Sequence, residues 1–485
     1  MAAAGVLYAI GCAPGAVWQD SGLIQYRVWH DDIEGSLGLA LSHPLYYLAA
    51  LGAKHVPLGE FGHRVNLLSA VAGAVAVANL YLLTRLWVGR EFPAIVAAAT
   101  LGLSHTFWWH ASIAETYTLW AALFLGELIC LLQYTRTCRT RYLGGLAILN
   151  GMAVAVHMLG SISFVCYAGF LVILLAKRAV RGRELAAFAL LWILGALPYE
   201  YLIVRDIARA GDVLGTLASA AFGSRWRADV LNTSLSWKIV KENALLIALN
   251  FPTPNVLLFL IGCYGLRRVR PAAFRNVVLA LLVLFLLFAF RYTVSDRYAF
   301  FIPVYCLAAL LIGLGAQEIV SRVRHWTVPW LIALFCLLPI GVYAAAPQLA
   351  RHAGVRIGTR QDIPYRDDYA YFLRPWKTGY DGAERFAAEA LATVENNAII
   401  WADITTVAPL LYAQEVRGIR PDVKIVSGIA STAGAPTVNG QTIAELLDGH
   451  AIYVVSRAPG YCPAFIAERY SLVRAGVLWR VERGA

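Results

Sequence analysis

Charge is what this sequence has least of. Asp, Glu, Lys and Arg make up 15% of its 485 residues, against 59% hydrophobic side chains and a mean hydropathy of +0.61. That balance lies far outside a soluble globular domain, excludes intrinsic disorder and marks an integral membrane protein. A paired-cysteine framework is also missing. None of the eight cysteines forms a CxxC pair, and most, such as Cys12, Cys130, Cys166, Cys263, Cys306 and Cys336, sit inside apolar runs and read as small core hydrophobes. There is no internal repeat, low-complexity tract or Gly/Ser linker. The opening MAAAGVLYAIGCAPGAVW carries no Lys or Arg, so it reads as an uncleaved first span and not as a signal peptide.

A helix needs about 20 apolar residues to cross a bilayer core. Runs of that size predict about eleven spans, near 2–17, 65–84, 92–109, 113–134, 142–157, 160–176, 186–204, 242–266, 276–291, 298–319 and 326–346. The run from Tyr142 to Ala176 is too long for one span and divides near Gly160, and the eighth span is interrupted by Pro252 and Pro254.

The net charge of +11 follows this periodicity. Arg85 and Arg90; Arg136, Arg139 and Arg141; Lys177, Arg178, Arg181 and Arg183; Arg267, Arg268, Arg270 and Arg275; and Arg322 and Arg324 each follow an even-numbered span. Fifteen basic residues against Glu91 and Glu184 place these loops in the cytoplasm by the positive-inside rule. The basic excess therefore records orientation, and nucleic acid drops out as a partner. The expected architecture is an all-α polytopic membrane domain over 1–346, with its N-terminus cytoplasmic, followed by a small extracytoplasmic α/β domain over 347–485. In the tail, strands are expected at 398–402, 423–427 and 452–456, alternating with helices at 383–394, 407–416 and 442–447.

Ionisable groups at the opposite rim are the ones topology does not explain. The first outer loop, 18–64, holds Asp20, Asp31, Asp32 and Glu34, then His43-Pro44, with Arg64 and Asn66 where the second span opens. Its apolar positions suggest helices lying in the interface. Each polar residue has an ordinary reading: a helix cap for Asp20, a solvated face or cap for Asp31, Asp32 and Glu34, a turn at His43-Pro44, a snorkelling Arg64. Glu115 opens the fourth span, where it would match the helix dipole. Arg205-Asp206 and Asp296-Arg297 place charge in later outer loops, and Asp403 reads as a helix cap in the tail. Together they put carboxylates and guanidinium groups at one membrane surface. Glycosyl transfer from a lipid phosphate needs that set: a carboxylate to take a proton from a hydroxyl or to hold a divalent cation, and arginines to neutralise the leaving phosphate.

The same residues carry a family resemblance. Asp20-Ser21-Gly22, the later His43-Pro44-Leu45-Tyr46, and RVNLLSAVAGAVAVANLYLLTRLW resemble the start of the GT-C membrane glycosyltransferases. More closely they resemble a bacterial membrane-protein family whose eukaryotic relatives are protein O-mannosyltransferases. FWWHASIAETYTLWAALF, LPYEYLIVRD, YTVSDRYAFFIPVY and NNAIIWADITTVAPLLYAQEVRGIRPDVKIV extend the likeness nearly end to end. It implies a GT-C-like enzyme of the cytoplasmic (inner) membrane, using a polyprenyl-phosphate sugar and a hydroxyl acceptor. Asp20 and Glu115 take the catalytic acidic positions, with Asp20 as base or metal ligand. The candidate binding set is His43, Arg64, Asn66, Arg205, Asp296 and Arg297, the donor lipid docking near Arg64, Arg205 or Arg297. Leu23 stands where relatives carry Glu, Leu45 where they carry Pro, and the stretch from Asp20 to His43 is longer, so Asp31, Asp32 or Glu34 are candidates to share Asp20's task or a metal. The competing readings are a transporter or flippase, with Pro252 and Pro254 marking a broken helix, and a non-catalytic scaffold for envelope polysaccharide.

Overall fold

A computed structural model describes residues 1–483 except 58, 224–226, 295, 324 and 358–362, so Arg324 lies outside the described residues. A helix stands at each of the eleven expected segments, but their lengths differ from the expectation. Six are long and apolar enough to cross a bilayer: Phe61–Val88, Tyr117–Thr137, Gly182–Ala210, Ala272–Arg291, Arg297–Arg322 and Thr327–His352. Trp237–Asn250 and Pro254–Arg268 make a seventh if taken as one span bent by 115°. The first segment is helical only over Ala2–Gly11, a rise of about 15 Å and half of a hydrocarbon core. The third is divided at Leu103–Ser104 into Glu91–Gly102 and His105–Ala111. Arg141–Val156 and Gly160–Ala176 are the two halves of the run that divides near Gly160.

Burial explains which helices sit where. Ile302 through Ala316 are buried without a break, which makes this helix the centre of the bundle. Gly182–Ala210 and Thr327–His352 instead expose apolar faces, including Leu190, Ile193, Leu194 and Leu197 on the first and Leu331, Leu334 and Leu338 on the second, as lipid-facing helices do. Arg141–Val156 and Gly182–Ala210 approach closely through paired glycines: a Cβ on Gly151 would lie 2.1 Å from the Trp192 carbonyl oxygen, and one on Gly195 2.2 Å from that of Ile148. At the bend near Pro252, main-chain groups freed from the helix ladder meet side chains. The Tyr343 hydroxyl donates to the Asn250 carbonyl at 3.0 Å, and the Thr253 hydroxyl donates at 2.7 Å to the Phe335 carbonyl, which Pro339 leaves without its ladder partner.

Several basic-loop residues pack on neighbouring elements: Arg136 donates to the Trp87 carbonyl, and Arg268 and Arg322 both pair with Glu318. The segment 13–60 meets the turn before Tyr117 and the C-terminal region, as in the Ser21–Glu115, Tyr412–Glu60 and Ala16–Glu384 hydrogen bonds. Helix Thr327–His352 crosses the expected boundary at 346/347 and leads into the C-terminal domain. The domain holds a five-stranded sheet, β1 (Ile399–Trp401), β2 (Lys424–Val426), β3 (Ile452–Val454), β4 (Tyr470–Ala475) and β5 (Leu478–Arg483), in the order β2-β1-β3-β5-β4. The three parallel strands are the three read from the sequence, since each is a short, nearly continuous apolar run buried on both faces. The antiparallel β4–β5 hairpin was not expected. Its strands carry Arg474, Arg480, Glu482 and Arg483 and bury only Leu478 and Val481, so no apolar run announces it.

Candidate active site

Two helices and a turn build the site. Helix Gln19–Trp29 begins just after the first short helix and carries Asp20 in its first turn, where a negative charge meets the helix N-terminus favourably. No side chain caps this helix end, so Asp20 does not serve as the cap that its Asp-Ser-Gly context suggests. The residue is exposed, although protein atoms crowd around it. Among the described residues it has neither a hydrogen-bond partner nor an ion-pair partner, and burial raises its pKa above the ordinary Asp value.

Glu115 stands in the turn before the span Tyr117–Thr137 and is 9% exposed. Ser21, the neighbour of Asp20, donates its hydroxyl to Glu115 Oε1 at 2.9 Å, and Ser69 holds the Glu115 main chain by accepting from its N–H at 2.9 Å. Burial, then the charge of Asp20, pushes the Glu115 carboxyl up to about 8. Asp296, just before the central helix, completes the group. Its Oδ1 is buried without a hydrogen-bond partner, and burial followed by the charge of Asp20 pushes it up to about 7. Three carboxyl groups thus feel one another's charge, and like charges in a desolvated place favour retention of protons.

A hub of buried amides fixes this geometry. Asn66 Nδ2 donates to the carbonyls of Ala13 and Gly15, both at 3.1 Å. Its Oδ1 accepts from Gln25 Nε2 at 3.1 Å and from the Ala114 N–H at 2.9 Å. Gln25 also donates to Gly15 and Gly62 and accepts from the Val17 N–H. One side chain therefore ties the segment before Asp20 to the residue before Glu115. Asn66, one of the expected binding residues, has both ends of its amide hydrogen-bonded within this hub.

The other expected residues are each engaged with protein groups. Asp31 pairs with Lys54 at 2.7 Å. Asp32 pairs with Arg27 and accepts from the N–H groups of Glu34 and Gly35, and Glu34 pairs with Arg205, which also holds Asp206. The structure therefore does not bring Asp31, Asp32 and Glu34 together with Asp20. Among the described residues no three His, Cys, Asp or Glu side chains come close enough to hold a metal. Arg64 donates to the carbonyls of Lys54 and Val56 and so secures a turn, and Arg297 pairs with Glu242. His43 Nδ1 bonds the Val156 carbonyl at 2.8 Å, and its ring stacks on His157 at 5.0 Å. Burial, then the charge of Arg27, lowers its pKa to about 4, so the ring is neutral at pH 7. Asp403 accepts from the Thr405 N–H at 2.8 Å, as a helix-start residue does.

Sequence reasoning missed Gln25, Ser69, Arg27 and Arg366. Arg27 lies 3.6 Å over the Tyr47 ring. Its signal was its place two turns after Asp20 on the same helix. Arg366, which donates to Gln19 Oε1 at 3.2 Å, comes from the C-terminal region and had no local signal.

This arrangement sits on a fold shared with a solved membrane-protein structure. ArnT from Cupriavidus metallidurans, in its apo state and bound to undecaprenyl phosphate, matches with TM-scores of 0.62 and 0.59, each over 99% of this chain and 96% of that one. Identity is 13% and 12%, so the likeness is one of fold. Residues 40–181 match the family described as the protein O-mannosyl-transferase TMEM260 N-terminal domain. The mouse protein O-mannosyl-transferase TMEM260 is 27% identical over 177 residues, which is 34% of this chain and 25% of that protein. The chain is thus a multi-pass membrane protein with an ArnT-like fold, similar over part of its length to the protein O-mannosyl-transferase TMEM260. The family match includes Glu115, His43, Arg64 and Asn66; Asp20 and Asp296 lie outside it.

Proposed function

We propose that this protein moves a monosaccharide from a polyprenyl-phosphate carrier to a hydroxyl acceptor at the extracytoplasmic face of the cytoplasmic membrane. The observation that carries the reading is Asp20, an unpaired carboxylate whose neighbour Ser21 bonds Glu115 and whose charge reaches both Glu115 and Asp296, on a fold shared with ArnT. That the ArnT structure holds undecaprenyl phosphate supports the choice of donor. The basic loops after the even-numbered spans support the orientation, with the N-terminus cytoplasmic and the C-terminal domain outside.

In the proposed step the acceptor oxygen attacks the anomeric carbon as the bond to the phosphate oxygen breaks, with inversion. Asp20 takes the acceptor proton, and the polyprenyl phosphate leaves with the bonding electrons. A free Asp of pKa about 3.9 is a feeble base, and burial makes Asp20 a better one. Glu115, protonated at neutral pH, keeps a second full negative charge away from Asp20 and can hydrogen-bond the acceptor. Arg205 and Arg297 are the guanidinium groups at which a donor phosphate would displace Glu34 or Glu242.

The test is incubation of purified protein with a panel of polyprenyl-phosphate sugars and a hydroxyl acceptor, following release of polyprenyl phosphate. Release with one donor, matched by glycosylated acceptor, is expected. Substrate uptake into liposomes with no release would overturn the reading.

A further inference from the structure

We infer that Glu384, in the C-terminal domain, is a positioning residue for the segment carrying Asp20. This rests on the proposed function for the meaning of Asp20, though not for the geometry. Residues 16–19 lead directly into Asp20, and the C-terminal region grips them one after another. Glu384 Oε1 accepts from the Ala16 N–H at 3.1 Å. The Trp18 indole donates to the Tyr380 hydroxyl at 2.8 Å, the Gln19 N–H donates to the Thr405 carbonyl at 3.3 Å, and Arg366 donates to the Gln19 side chain. The remaining residue, Val17, is held from the membrane side by Gln25. Asp20 is therefore clamped between the amide hub of the bundle and the tail.

Two glycines show that this approach is built into the sequence. A Cβ on Gly15 would lie 1.9 Å from Glu384 Oε1, so only glycine admits the carboxylate there. A Cβ on Gly22, the glycine of Asp-Ser-Gly, would lie 2.4 Å from the Val17 carbonyl oxygen and 2.7 Å from the Ala408 Cβ, on the helix Val407–Leu411 that packs against helix Gln19–Trp29. Glu384 is itself held. Arg417 pairs with it at 2.6 Å and also reaches Glu60, which in turn accepts from the Tyr412 hydroxyl. Asn66 and Glu384 thus hold this segment between them, and displacement of a reacting group by 1 Å can cost about 100-fold in rate.

Glu384→Ala and Glu384→Gln separate positioning from mere docking of the domain. Gln keeps an oxygen for the Ala16 N–H and loses the charge that Arg417 holds. Glu384→Ala is expected to lower kcat about tenfold with the donor KM within about twofold, and Glu384→Gln to recover most of that loss. Amide hydrogen exchange over residues 14–20 should quicken about tenfold in the Ala variant, return toward wild type in Gln, and stay unchanged in helix Tyr117–Thr137. Gly15→Ala, which pushes Glu384 away without touching it, should reproduce the Ala variant. Unchanged exchange over 14–20 in both Glu384→Ala and Gly15→Ala overturns the inference. So does a Gln variant as impaired as Ala, which would assign Glu384 to the ion pair alone. A wild-type protein that transfers no sugar sinks the functional reading and leaves the exchange experiment to decide the positioning.

Discussion

Asp31, Asp32 and Glu34 follow Asp20 in the same loop, and in sequence the four look like one acidic cluster. The fold sorts them. The three later carboxylates each meet a cation, Lys54, Arg27 or Arg205, at the protein surface or near it. Asp20 meets none, and its neighbours in space are two more carboxyl groups brought from Glu115 and Asp296. An exposed ion pair is worth little, because water already solvates both partners. A desolvated group of like charges is costly, and its retention is what marks a reactive place in a structure. Acidic residues near one another in sequence thus say less than acidic residues left without a cation.

Four substitutions can break this contrast, beginning with the largest expected effect. Asp20→Asn should lower turnover by about 10³-fold or more while the melting temperature holds or rises slightly, because a like charge is removed. Kinetics alongside thermal unfolding checks both parts, and near-wild-type turnover would remove Asp20 from the chemistry.

Glu115→Gln should cost about 10²-fold and alter the pH profile. The folded-state pKa of Glu115 is raised from 4.5 to about 8, so its contribution to stability is fully present below about 4.5 and is lost as pH rises through about 8. Wild-type melting temperature should therefore fall between about pH 5 and about pH 9, and Glu115→Gln should flatten part of that fall. Activity should decline on the alkaline side as Glu115 ionises, and the variant should lose that limb.

Asn66→Ala leaves the Ala114 N–H and the Ala13 carbonyl buried without this partner, so a loss of about 1–3 kcal/mol in stability is expected in denaturant unfolding. Turnover should drop about tenfold with it, since both carboxylates lose their common anchor. Asp31→Asn should do least: its side chain is 66% exposed, stability should change by less than about 1 kcal/mol and turnover by less than about twofold. An Asp31→Asn effect as large as that of Asp20→Asn would mean that the whole loop cluster is functional.

Glu115 and Asp20 could be singled out from sequence because each interrupts an apolar pattern at a helix start, a purely local signal. Asp296 could be noticed but not ranked, since its neighbour Arg297 suggested a surface pair, and the structure instead gives Arg297 to Glu242. Gln25 and Ser69 were invisible, because a small polar residue on a helix face has no meaning until the facing element is known. The same holds for Glu384 and Tyr380, which meet Ala16 and Trp18 across more than 360 positions of chain.

Composition and the 20-residue rhythm of apolar runs determined by themselves that this is a multi-pass membrane protein. The loop arginines determined the expected orientation, because hydrophobic transfer and positive-inside sorting act on local segments. Strands β1 to β3 were legible for the same reason. Tertiary structure alone decided which helices are full length, which acidic residues find cations, and that Asp20 is left with carboxyl neighbours between two clamps. Those outcomes depend on contacts between residues far apart in the chain, and the strength of a charge is set by what folding places beside it.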